Sequence, residues 1–197
     1  MKRKVCVVVT ARPSYSRVRS ALFAIKNHKN LELQLVVAAS ALLSKYGNAV
    51  DFIEKDGFII SDKVYSIVDG VSLISSAKTT GLSIISLSSV FDRIRPDIVL
   101  TIADRYETIS TAIAAAFMNI PLAHLQGGEI TGNIDEKVRH SITKLADYHL
   151  TCSEESKKRV IKLGENPNYV FNTGCPSIDI AKEVLSNPKI NFNLEDK

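Results

Sequence analysis

Carboxylates, arginines and histidines in this sequence gather in three short segments. The densest is His124-Leu-Gln-Gly-Gly-Glu-Ile-Thr-Gly-Asn-Ile-Asp-Glu-Lys-Val-Arg-His140. It holds Gln126, Glu129, Asp135 and Glu136, with Arg139 and His140 one helical turn further on. Carboxylates in such a cluster can take and return protons, the work of general acid–base catalysis. Glycines at 127, 128 and 132 let the backbone turn and approach a ligand closely. The local alternative is that Asp135 and Arg139, four residues apart on one helix face, simply pair with each other. The second segment is Ala103-Asp-Arg-Tyr-Glu107. Asp104 is expected to point a carboxylate into a crevice, with Arg105 either holding it or meeting a ligand anion. Asp104 followed three residues later by Glu107 also fits a helix capping box. The third is Thr10-Ala-Arg-Pro-Ser-Tyr-Ser16. A helix N-terminus here would offer free N–H groups, and Arg12 a forked cation, to a phosphate or diphosphate, with Ser16 alongside. Alternatively Ser14 caps that helix and Arg12 is merely solvated.

These segments need a frame, and the pattern around them supplies one. Short β-branched runs alternate with longer amphipathic stretches. Strands are expected at 5–9, 33–38, weakly at 63–66, then at 98–102, 121–125, 148–152 and 169–172. Helices are expected from Ser14 to His28 and over 42–56, 72–94, 106–118, 135–146, 154–163 and 176–185. Strands this continuously apolar are covered on both faces, and their alternation with helices implies parallel pairing. The expected fold is therefore α/β, a doubly wound parallel sheet of about six or seven strands. Ligands of such sheets bind beyond the carboxyl ends of strands, so the loops after Val9, Ile102 and Leu125 carry the site. All three chemical segments begin at those places. His149, inside an apolar strand, reads as a core histidine, and His28, near a helix end, as a solvated one.

Bulk properties exclude several classes. Of 197 residues, 45% are hydrophobic and 23% charged, with a formal charge of +4, which is ordinary for a soluble globular chain. The basic residues are scattered apart from the N-terminus and Lys157-Lys158-Arg159, so no nucleic-acid stripe is expected. Three cysteines without CxxC spacing argue against a disulfide framework or a zinc site and fit a reducing compartment. No apolar run reaches bilayer-spanning length, and VCVVVT is too short for a signal-peptide core. The expectation is a cytoplasmic protein. No GxGxxG follows the first strand, so a nicotinamide cofactor has no support.

The segments TARPSYS (10–16), SKYGNAVDFIEKDGF (44–58), RPDIVLTIADRYET (95–108), HLQGGEITGNIDEKVRHSITKLADYHL (124–150) and GCPSID (174–179) together resemble the hydrolysing UDP-N-acetylglucosamine 2-epimerases of sialic and related nonulosonic acid biosynthesis. The likeness runs in order from residue 5 to about 180. It implies a Rossmann-like N-terminal domain over 1–185 and a linker or tail over 186–197. It further implies a second domain, in cis or in trans, completing a two-domain GT-B-type fold. In that family the C2 proton of UDP-GlcNAc is removed while UDP leaves, and hydration of the resulting glycal gives N-acetylmannosamine. No metal or redox cofactor is implied.

Carried over by position, Asp104 and Asp135 match catalytic carboxylates, Arg12 the arginine that contacts the diphosphate, and Arg105 a further ligand position. His124, Ser16, Arg139 and His140 are expected around the substrate. A third family carboxylate falls at Gln126, which cannot titrate, so its role would pass to Glu129 or be dispensable. Ile102-Ala103 replaces the family's frequent His-Gly. Both departures point to a bacterial branch acting on UDP-GlcNAc or a diacetamido-trideoxy relative, homo-oligomeric at full length. Two other readings remain open at this stage: a non-catalytic sugar-nucleotide-binding module, and half of a split glycosyltransferase.

Overall fold

The computed structural model describes residues 2–70 and 72–186. Seven parallel strands form one sheet in the order β3-β2-β1-β4-β5-β6-β7. They are β1 (Arg3–Val9), β2 (Leu31–Ala38), β3 (Ile60–Val64), β4 (Ile98–Ile102), β5 (Leu122–Leu125), β6 (Tyr148–Thr151) and β7 (Val170–Asn172). The helices between and after them are α1 (Arg12–Asn27), α2 (Ala49–Lys55), α3 (Leu73–Ile94), α4 (Ile109–Phe117), α5 (Ile134–Leu145), α6 (Glu154–Lys162) and α7 (Pro176–Ser186).

The continuous apolar strands are covered on both sides. Val5, Val7 and Val9 of β1 face Val18 and Leu22 of α1 and Ile53 of α2. Cys6 and Val8 face the opposite core, with Leu87 and Phe91 of α3, Ala112 of α4 and Ile142 of α5. Period-two alternation thus divides one strand between two cores. Strand order reverses at β1 and β4, which are adjacent and paired Val5 to Ile98 and Val7 to Leu100. That switch point opens a crevice beyond the carboxyl ends of β1 and β4.

Several boundaries depart from expectation. The helix expected over 42–56 is two 3-10 turns followed by α2, because Gly47 and Asn48 adopt left-handed backbone at φ 93° and 47°. The weak third strand lies at Ile60–Val64, nearer the chain start than 63–66. α4 begins at Ile109 instead of 106, so Tyr106 to Thr108 belong to the loop. Ser186, expected in the tail, is the last residue of α7, and 187–197 lie outside the described residues. Arg19 of α1 reaches Glu183 of α7 at 3.7 Å, tying the end of the unit back to its beginning. Among the described residues no helix is long and apolar enough to cross a membrane.

Gly128 makes a close approach between the loop after β5 and α6. A Cβ there would lie 2.3 Å from the Ser156 carbonyl oxygen and 2.9 Å from Val160 Cγ2, at a φ of +81°. Arg159 Nη1 also donates to the Gly128 carbonyl at 2.9 Å. Gly128→Ala must therefore displace backbone as well as strain φ, and is expected to destabilise the fold by about 2–4 kcal/mol. Urea unfolding measures this; an unchanged midpoint would show that the loop gives way freely.

Candidate active site at the carboxyl ends of β1, β4 and β5

The site is assembled on a buried polar floor. Thr10, directly after β1, and Thr108, in the loop after β4, place their hydroxyl oxygens 3.0 Å apart. Ser40 Oγ lies 3.0 Å from the Thr10 carbonyl and 2.9 Å from Glu107 Oε1. Glu107 is wholly buried and accepts from Arg105 Nε at 3.2 Å and Nη2 at 3.4 Å. Burial alone would weaken the Arg105 charge; Glu107 and the more distant Asp135 outweigh it, and the pKa is raised. Glu107 is thus no capping residue, and Thr108 takes the position before α4.

Asp104 makes a different partnership from either one expected. It neither caps α4 nor is held by Arg105. Its carboxylate forms an ion pair with Arg139 of α5. Arg139 is 2% exposed, and its Nη1 donates to the Glu129 carbonyl at 2.7 Å. Burial and the positive charge of Arg17 both lower the Arg139 pKa. The local Asp135–Arg139 pair does not form; Asp135 instead lies within the field of Arg105. One acid and one arginine thus pair across the two segments, Asp104 with Arg139, while Arg105 is held by Glu107 of its own loop.

The loop geometry behind Asp104 is pinned from below. Ala103 and Gln126, the residues after β4 and β5, both sit at φ 67°, a left-handed region that costs a non-glycine residue on the order of 1 kcal/mol. Ladder bonds continue past the strand ends to hold them, Ala103 N–H to Leu125 O at 3.1 Å and Gln126 N–H to Leu150 O at 2.9 Å. His124 completes the clamp. Its Nε2 lies 3.1 Å from the Ala103 carbonyl and its Nδ1 3.2 Å from Thr143 Oγ1. A carbonyl can only accept, so the proton sits on Nε2, and the one Thr143 hydroxyl proton is shared between Nδ1 and the Arg139 carbonyl at 3.0 Å. Burial pushes the His124 pKa down to about 4, keeping the ring neutral.

Elsewhere the placements divide. Arg12 is exposed and packs against Gly47, where a Cβ would meet its Cδ at 2.8 Å. Ala11 precedes α1 and offers no side-chain cap, while Ser14 is buried inside the first turn. Ser16 is exposed, its hydroxyl turned back to the Pro13 carbonyl at 2.9 Å. Gln126 is 5% exposed and its amide lies 3.8 Å from Cys175 Sγ. Glu129 is half-buried, and its carboxylate helps to raise the pKa of the nearby Cys152 thiol. His140 is half-buried, 3.9 Å from Glu136, and its Nδ1 has no partner. His124 and Arg139, expected at the ligand, have almost no exposed surface and act here by orienting Ala103 and Asp104. The structure adds Glu107, Ser40 and Arg17 to the site. Glu107 was visible as a carboxylate two residues past Arg105; Ser40 and Arg17 carried no signal in sequence. Among the described residues no three His, Cys, Asp or Glu side chains converge as metal ligands.

A family model described as UDP-N-acetylglucosamine 2-epimerase matches residues 23–196. The chain belongs to the UDP-N-acetylglucosamine 2-epimerase family. It is 35% identical over 193 residues to a hydrolyzing UDP-N,N'-diacetylbacillosamine 2-epimerase of Legionella pneumophila, covering 98% of this chain and 51% of that protein. It is 37% identical over 184 residues to a hydrolyzing GDP/UDP-N,N'-diacetylbacillosamine 2-epimerase of Campylobacter jejuni, covering 93% of this chain and 48% of that one. The chain spans about half the length of the curated relatives it matches. In fold it matches a Neisseria meningitidis UDP-GlcNAc 2-epimerase crystallised with UDP-GlcNAc, with a TM-score of 0.82 at 22% identity, over 95% of this chain and 50% of that one. An epimerase-family sheet of this order is thus one α/β unit of the GT-B type.

The neutral, enclosed His124 has a measurable consequence. Its ordinary pKa of 6.5 applies once the chain unfolds, whereas the folded value is about 4. Between these values the unfolded state binds the additional proton, so stability is full above pH 6.5 and falls as pH drops towards 4. The loss reaches about 3 kcal/mol for this group. Burial lowers the pKa of His149 as well, with the same sign. Urea midpoints across this range, together with NMR titration of the ring, test the assignment; protonation of His124 near pH 6.5 in the folded chain would contradict it.

Proposed function

We propose that this chain is the N-terminal, acid–base half of a hydrolysing UDP-sugar 2-epimerase. The observation that carries the reading is the Asp104 carboxylate at the switch point, held by the buried Arg139 of α5, with the uncapped start of α1 following the neighbouring strand β1. A C2 proton is weakly acidic, so its removal needs a positioned carboxylate. The ion pair with Arg139 orients the Asp104 carboxylate, which is the base in this reading. As the C2–H bond breaks, the C1–O bond to the diphosphate breaks too, and its electron pair leaves with UDP. Arg12, Arg17 and the positive end of the α1 dipole, with the Arg12 N–H, face the leaving diphosphate in this reading. Water then adds hydroxyl at C1, and a proton returns to C2 from the opposite face. Asp135 and Glu129 are the acids available for that return, with Gln126 as a hydrogen-bonding group.

The substrate in this reading is a UDP-activated 2-acetamido sugar. Both relatives described above are named as epimerases of N,N'-diacetylbacillosamine, which favours a 2,4-diacetamido sugar over UDP-GlcNAc. A second GT-B-type domain, joined to this one or supplied by another chain, closes the crevice and holds the uridine. Full assemblies are homo-oligomeric, and the compartment is cytoplasmic.

Two experiments test this. UDP release from UDP-N,N'-diacetylbacillosamine and from UDP-GlcNAc is followed with the chain alone and with a separately expressed second domain. Turnover only in the presence of both halves, faster with the diacetamido sugar, is expected; vigorous turnover by the unassociated chain would refute the two-domain reading. In the complete assembly, Asp104→Asn and Asp135→Asn are each expected to lower turnover by about 100-fold or more while leaving UDP affinity near normal. Turnover close to that of the unsubstituted protein would remove that residue from the chemistry.

A further inference from the structure

Cys152 and Cys175 are distant in sequence but meet at one edge of the crevice. β6 ends at Thr151 and β7 at Asn172, and these two residues are paired. The ladder continues one step, with the Thr173 N–H donating to the Thr151 carbonyl at 2.9 Å. Cys152, the next residue after β6, therefore lies beside the short loop that delivers Cys175 to the start of α7. The two thiols are close enough for each to shift the ionisation of the other. Both are free and partly accessible, whereas Cys6 is enclosed in the core.

Their surroundings differ in a chemically useful way. Burial by itself would raise the Cys175 pKa, but the polar groups of Ser177 and the neighbouring Cys152 thiol outweigh it and lower it. Gln126 Nε2 adds a further donor at 3.8 Å. Cys152 is pushed the other way, up to about 12, by burial, by Cys175 and by the Glu129 carboxylate. Cys175 is the more readily ionised of the two sulfurs, the division of labour of a reactive dithiol.

We propose that Cys175 and Cys152 form a reactive thiol pair that reduces low-molecular-weight disulfides, Cys175 attacking and Cys152 resolving. The Cys175 thiolate attacks one sulfur of a disulfide RSSR. A Cys175–SR bond forms, the RS–SR bond breaks, and the departing thiolate takes up a proton equivalent to the one Cys175 lost. Glu129 then accepts the Cys152 proton, and the Cys152 sulfur attacks Cys175. The second thiolate leaves and takes up that proton. Two protein thiols are oxidised to one bridge, and one RSSR is reduced to two RSH. The bridge draws Cys175 away from Gln126 and Cys152 away from Glu129. Its consequence for turnover rests on the epimerase reading, but the thiol chemistry does not.

The test uses the native chain and needs no sugar nucleotide, so its outcome is separate from that of the epimerase reading. Limiting iodoacetamide near neutral pH, followed by peptide mapping, is expected to label Cys175 about tenfold faster than Cys152. Oxidised glutathione is expected to leave an internal Cys152–Cys175 bridge and no retained glutathione. Cys152→Ser should stop at a glutathione mixed disulfide on Cys175. Equal labelling of the two thiols, glutathione retained on the unsubstituted chain, or no reaction with the disulfide would each overturn the proposal. The labelling and bridging arms need no variant, so misfolding of a substituted chain cannot mask the result.

Discussion

A guanidinium shut away from water has to find its partners inside the protein, and Arg139 finds them on two other segments. The carboxylate of Asp104 comes from the loop after β4, and the carbonyl of Glu129 from the loop after β5. An unpaired cation in that position would cost several kcal/mol, so α5, the glycine loop and the β4 loop can settle only where all three meet. The Arg139 Nε still lacks a partner among the described residues. That cost is tolerable only because the other two nitrogens are well served. The aim of the Asp104 carboxylate is therefore a property of the whole junction and not of its own loop.

His124 plays the complementary part from beneath. It is a neutral ring in a site otherwise built on charge, bonded to the carbonyl of a left-handed alanine. Protonating it would put a charge inside the core, where burial and the neighbouring His149 and His140 oppose it. Low dielectric keeps it neutral and makes its hydrogen bond to Ala103 dependable. A residue that looks like a ligand contact in a list of polar side chains is thus better described as the wedge that turns β4 towards the crevice. The same holds for Glu107, whose burial commits it to Ser40 and Arg105 and leaves it no part in proton transfer.

Much of the architecture was legible before any coordinates. Runs such as Val5–Val9 and Ile98–Ile102 carry enough β-branched and aliphatic character to declare two-sided burial, and the long periodic stretch 72–94 declared α3 almost to the residue. Errors clustered where one or two residues with unusual backbone preference interrupt an otherwise helical pattern. Gly47 and Asn48 split the segment 42–56, and the polar floor beneath Glu107 delayed α4 to Ile109. Local propensity is a weak guide at such points because a buried polar contact outweighs a few tenths of a kcal/mol per residue.

The sequence by itself determined which loops gather acids and arginines, because these follow the strand ends of an α/β pattern, and it determined the family, because five separate motifs keep their order. Only the tertiary structure decided which charges meet. Asp135 and Arg139 stand at helical spacing and would gain about half a kcal/mol by pairing on an exposed face. Folding buries Arg139, and a buried cation gains far more from the Asp104 carboxylate, which arrives from 35 residues away. The thiols of Cys152 and Cys175 were equally unreadable as a pair, since only parallel strands β6 and β7 bring them side by side. Spacing along a chain reports neighbours on one element; desolvation acts on whatever the fold encloses, and it is desolvation that chose the partners here.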